Sequence, residues 1–138
     1  MLKRGRHVLI FLLLFIITMM MVSLILNPLL KTRAGIQRYL LNITPIGTSI
    51  EDIIHKAADN TNWTIRSRDA GVALHPTRLN PTRGVADDPR FPVVGEQSVE
   101  VHLGTYRHIT RVDVTAFFTF NEYGKLMEIF VIKEYDLI

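Results

Sequence analysis

The chain has 138 residues, 48% of them hydrophobic, no cysteine and a formal net charge of +3. The missing cysteines exclude a disulfide framework, a thiol nucleophile, a lipid-carrying cysteine and any Cys-based zinc site. Lys3, Arg4 and Arg6 supply the whole charge excess, because from Lys31 onward 13 Lys and Arg face 13 Asp and Glu, so a nucleic-acid partner has no electrostatic warrant.

Residues 1–7 form a basic tail. A run without charge follows, Val8 to Leu26, in which fourteen of nineteen residues are Leu, Ile, Phe or Val. At about 1.5 Å rise per residue it covers roughly the hydrocarbon core of a bilayer. At about 0.3–0.6 kcal/mol for each such residue, insertion is favoured by about 4–8 kcal/mol. We read 8–30 as a transmembrane anchor rather than a cleaved signal. The run exceeds the usual apolar stretch of a signal peptide, and bulky residues stand where small ones would be cleaved. The acid-free tail favours an N-terminus inside and a C-terminal domain outside, in keeping with a bacterial inner membrane.

Asn27-Pro28 should disturb the helix at the membrane surface. Residues 31–44 read as a juxtamembrane helix or linker, with Ile36, Tyr39 and Leu40 on one side. It either lies along the membrane or is the first helix of the domain.

The small domain spans 45–138. Thr48-Ser-Ile-Glu51 suggests a capping box. Behind it Ile50, Ile53, Ile54, Ala57 and Ala58 keep helical spacing, predicting a helix from Ser49 to Asp59. Trp63, Ile65 and Ser67 then alternate with polar neighbours as in a strand. Asp69-Ala-Gly71 can turn the chain back into a short partner, Val72 to His75. The stretch 75–97 holds four of the six prolines and argues against regular structure. Val99, Val101 and Leu103 mark the next strand, and Val112, Val114, Ala116, Phe118 and Phe120 the one after. Asn121-Glu-Tyr-Gly-Lys125 reads as a hairpin loop. The last strand, Leu126 to Tyr135, is apolar on both sides, Met127, Ile129 and Val131 on one and Phe130 and Ile132 on the other. That suits a central or doubly covered strand. The expected fold is α+β: an N-terminal transmembrane helix, then a two-layer sandwich of one or two helices on a three- to four-stranded antiparallel sheet.

PIGTSIEDII and VTAFFTFNEYGKLMEIFVIKEYD resemble short, mostly uncharacterised bacterial envelope proteins whose small domain is similar to the SmpA/OmlA (BamE-like) family. The matching positions are Gly47-Thr48 and Phe118-Thr-Phe120 with Gly124-Lys125-Leu126. The resemblance implies an interaction module and brings no catalytic residue with it.

No P-loop or dinucleotide fingerprint occurs, so no cofactor is expected, and no nucleophile sits in an elbow motif. Glu100, His102, His108 and Asp113 offer metal-ligating chemistry without close ligand spacing. Asp87-Asp88 reads as a solvated turn. The long loop is the preferred functional segment, since Arg78, Arg83, Arg90 and Phe91 form the Arg-and-aromatic mixture that suits a protein partner. The expected role is a single-pass membrane protein whose domain binds another envelope protein. The alternatives are an extracytoplasmic enzyme inhibitor, similar in outline to β-lactamase inhibitory proteins, or a metal-dependent factor using His102 and His108.

Overall fold

The computed structural model describes residues 2–74, 81–82, 93–107 and 109–136, with side chains described for 5–23, 25–72, 93–107 and 109–136. Helix α1 runs Leu2–Leu26 and is followed by a 3₁₀ turn, Pro28–Leu30. The window Gly5–Ser23 is long and apolar enough to cross a membrane, and none of it is buried against the rest of the chain. Phe11 and Phe15 are 73% and 65% exposed, so α1 is not a core helix of the domain. Asn27 caps the 3₁₀ turn by accepting from the Leu29 N–H, while Pro28 takes the first position, where a missing donor costs nothing.

Helix α2 (Arg33–Ile43) starts on Thr32, whose hydroxyl accepts from Gly35 N–H. Ile36 and Leu40 are fully buried, so α2 packs on the domain's sheet and is its first helix. Helix α3 (Ile50–Asp59) begins one residue later than its sequence pattern suggests: Ser49, not Thr48, is the cap and accepts from Asp52 N–H. Thr48 instead donates to the Pro45 carbonyl and takes no part in a capping box. Glu51 and Asp52 then sit in the first turn, where negative charge favours the helix dipole. Ile53 and Ala57 are buried, and Ile50 packs at the core's edge.

The strands are β1 (Thr64–Asp69), β2 (Val72–Leu74), β3 (Pro81–Thr82), β4 (Val93–Val94), β5 (Gln97–Arg107), β6 (Arg111–Phe120) and β7 (Leu126–Tyr135). Four of them form an antiparallel sheet in the order β1-β5-β6-β7. The domain is thus α+β, with α2 and α3 on one face of this sheet. Val99, Val101, Val114, Ala116, Phe118 and Ile129 meet Ile36, Leu40 and Ile53 there.

Three local expectations change. Strand β2 does not pair with β1 but lies in a separate small sheet of order β3-β2-β4. Two short strands therefore interrupt the stretch 75–97. Pro81 is tolerated because β3 is an edge strand, where a missing N–H breaks no interior ladder. Strand β7 is not central. It is an edge strand covered on both faces: Ile129 and Val131 face the helices, while Ile132 and Phe130 meet Phe117, Val72 and Val94. Its apolar pattern reports coverage by two layers rather than two neighbours. Met127 leaves the inward row because a bulge opposite Thr119 and Phe120 adds a residue, and it is 46% exposed.

Candidate functional site

The joint between α1 and the domain carries the most distinctive arrangement. Ile129, Val131 and Lys133 alternate on the helix-facing side of β7. A lysine there is expensive unless its ammonium finds oxygens. Lys133 Nζ donates to the Leu29 carbonyl at 2.9 Å, the Lys31 carbonyl at 2.6 Å and the Tyr106 hydroxyl at 3.1 Å. It also stands 5.0 Å from the Tyr106 ring centroid. The carbonyls belong to the 3₁₀ turn and the residue after it, in the short connection between α1 and α2. One cation therefore fastens the segment behind α1 to the C-terminal strand. Lys133→Met should cost about 1.5–3 kcal/mol, the usual worth of bonds to a charged group. Limited proteolysis should then cut residues 27–32 faster than in the native chain.

Beside this clamp lies a cavity of about 510 Å³. Its walls come from four places: Leu26 at the end of α1 with Leu29 of the 3₁₀ turn behind it, Tyr39 and Leu40 on α2, Asn60 and Trp63 between α3 and β1, and Leu103 to Thr105 on β5. Gly104 closes one side. It follows a register shift in β5 and has φ of 140°, and a Cβ there would lie 3.0 Å from Leu29 Cδ1. Only glycine combines that backbone angle with so close an approach. Trp63, Tyr39 and Tyr106 all gather at this end of the domain. Aromatic side chains of this kind concentrate where protein meets the membrane surface.

The outer face of the sheet carries a row of polar groups. His102 lies between Arg66, 3.2 Å from Nδ1, and Thr105, 3.4 Å from Nε2. Thr105 donates to Asp113, and Arg111 Nε stands 3.5 Å from the same carboxylate. The Thr105 hydrogen bond, with help from Arg111, holds the Asp113 carboxyl below its ordinary value although partial burial opposes this. Ser67 reaches Glu100, and Arg66 Nη1 is 4.0 Å from Glu100 Oε1. Glu100, His102 and Asp113 thus share the face that their alternation implies, but each engages hydroxyl or guanidinium groups. Among the described residues no group of three His, Asp or Glu is placed to hold a metal. His108 lies outside the described residues, as do His75, Asp87-Asp88 and the four loop positions Arg78, Arg83, Arg90 and Phe91.

A third feature occupies the opposite end. β7 runs from Leu126 to Lys133 over seven steps, so at about 3.3 Å each the β6–β7 hairpin stands about 23 Å from the clamp. Gly47 N–H bonds the Leu126 carbonyl, Leu126 N–H bonds Thr48, and Ser49 bridges Lys125. The Gly47-Thr48 turn and the late hairpin, far apart in sequence, are therefore one unit. Around them Ile46, Tyr123 and Met127 are 60%, 77% and 46% exposed. Met127 and Val93 line a shallow groove with Asn121 and Glu122.

Sequence reasoning missed Lys133, Trp63 and Gly104. Lys133 carried a readable signal, a charge continuing the inward row of Ile129 and Val131. Trp63 and Gly104 carried none, since their role depends on where α1 ends in space.

Comparison with known protein families, with curated proteins and with solved structures finds no match to this chain. The fold itself defines the class: a small α+β domain carried directly behind a helix long and apolar enough to cross a membrane.

Proposed function

We propose that this is a single-pass membrane protein whose α+β domain binds another envelope protein, acting by docking rather than by catalysis. The observation that carries the reading is the joint between α1 and the domain. An apolar helix with no contact to the core passes straight into a turn held by Lys133, and Ile36 and Leu40 are already in the core. Residues just behind the helix belong to the fold, which supports a retained anchor over a removable leader. Lys3, Arg4 and Arg6 before the helix favour a cytoplasmic N-terminus and an extracytoplasmic domain, in a bacterial inner membrane.

The membrane-distal tip suits the partner. Ile46, Tyr123 and Met127 expose apolar area where nothing in the domain needs it. Val93 in the adjoining groove directly follows the Arg-rich segment containing Arg83, Arg90 and Phe91. The likeness of the Gly47-Thr48 turn and the Phe118–Leu126 hairpin to BamE-like interaction modules supports the same end of the domain.

The test is photo-cross-linking in intact membranes from a probe residue at position 46. The reading expects a discrete adduct, lost in a Tyr123→Asp, Met127→Asp variant whose domain unfolds as the native one does. An adduct that persists in that variant, or none at all, would refute a partner at the tip.

A further inference from the structure

We propose that the β5–β6 hairpin seats in the surface of the bilayer that α1 crosses, with Ile109 among the acyl chains and Arg107 at the phosphate headgroups. The inference rests on the reading of α1 as a membrane span and adds a second point of contact, made by the domain itself.

Place comes first. β5 starts at Gln97, opposite Phe120 and beside the distal hairpin, and runs toward the clamp. Gly104 lies against Leu29, and the Tyr106 hydroxyl meets Lys133. Arg107 and Arg111 then form the last pair of the β5–β6 ladder, and Ile109 stands in the loop between them. From Gly104 to Arg107 is three steps, about 10 Å at roughly 3.3 Å each. Leu29 is six residues beyond Ser23, where the apolar window ends, which is about 9–12 Å at about 1.5–2.0 Å rise per residue. The hairpin thus projects past the clamp, away from the distal tip, by about the height of the clamp above hydrocarbon.

Chemistry comes second. Ile109 is 86% exposed, more than Leu26 of α1 at 76%. It belongs to neither apolar cluster of the domain, and turns of this kind ordinarily carry Gly, Asn or Asp. Tyr135, opposite Val112 near the hairpin's root, is 56% exposed. An aromatic ring with a polar tip suits the level of the headgroups.

Charge agrees. Arg107 faces Arg111 directly across the ladder, a like-charge pair that costs stability unless an anion intervenes. Asp113 and Asp136, 3.5 Å and 4.0 Å from Arg111 Nε, offset one side of the pair. Arg107 is exposed, and a lipid phosphate supplies the anion for the other side. Its aliphatic stem can lie along hydrocarbon while the guanidinium stays at the phosphate. The seat is also braced, because the Asp136 N–H bonds the Arg111 carbonyl and ties the end of β7 to the root of the hairpin. Held by α1 and by the hairpin, the domain stands with the Gly47 turn and the β6–β7 hairpin facing away from the bilayer.

The chain has no cysteine, so Thr110→Cys gives a single thiol beside the apex for an environment-sensitive nitrobenzoxadiazole label. The labelled full-length chain is reconstituted in vesicles of phosphatidylethanolamine and phosphatidylglycerol, plain or carrying nitroxide high on the acyl chains. Flotation first establishes that the protein is in the vesicles. The proposal expects nitroxide to extinguish a label at 110 and to spare one placed by Tyr123→Cys on the distal hairpin. Ile109→Asp and Arg107→Glu, each at an exposed side chain away from the core, should each restore the emission at 110. At an anionic surface each unit of charge is worth about fivefold in the seated population. A floating chain whose label at 110 keeps its emission overturns the hairpin seat and leaves the anchor standing. Quenching that neither variant relieves reports mere nearness to the bilayer and overturns the seat as well. A chain that does not float overturns the anchor and the seat together.

Discussion

Replacing Leu13 and Ile17 with arginine together is expected to move the chain out of the membrane fraction. Each arginine near a helix centre costs about 2.5–3.5 kcal/mol, so the pair costs about 5–7 kcal/mol. The whole apolar run contributes only about 4–8 kcal/mol. The net drive for insertion then falls close to zero, while the domain, which α1 does not touch through its core, keeps its fold. Both positions are about half exposed on α1 and meet no part of the domain core, which isolates the membrane effect from folding. Fractionation of cells carrying the variant checks this. Full retention in the membrane fraction would mean that something other than α1 holds the chain there.

The second large effect lies in the sheet. Phe118→Ala should destabilise the domain by about 3–5 kcal/mol, the usual cost of emptying a large buried site. Phe118 is fully buried and lies in β6 between Val99 of β5 and Ile129 of β7. Domains of this size are stable by about 5–15 kcal/mol, so the loss is a large share of the total. Urea unfolding of the detergent-solubilised chain, followed by Trp63 emission, should show a midpoint lower by about 1–5 M. Phe11→Ala, on the exposed face of α1, should leave that midpoint where it was. Equal effects from the two would contradict the division between a membrane helix and an independent core.

What was legible in the sequence follows from which forces are local. The apolar rows of β5 and β6 and the helical spacing of Ile50, Ile53 and Ala57 meet in one core between helices and sheet, so these elements stand where periodicity placed them. The cap moved from Thr48 to Ser49 because neighbouring hydroxyls compete and the sheet decides between them: the Leu126 N–H uses the Thr48 carbonyl and fixes that residue in the bridge to β7. The partners of β2 and the edge position of β7 were not legible, since strand order is set by distant chain segments. The cavity was least legible of all. Asn60 and Leu103 have no reason to meet Leu26 until Lys133 draws the 3₁₀ turn against β7. The polar row of the outer face was partly legible: alternation put Glu100, His102 and Asp113 on one side, but their pairing with Arg66, Thr105 and Arg111 needed the register.

Alkaline carbonate extraction of membranes from cells making the intact chain tests the central claim most directly. An apolar helix seated in hydrocarbon predicts that the protein stays in the pellet and leaves it only with detergent. Release of the full-length chain into the carbonate supernatant would contradict the account.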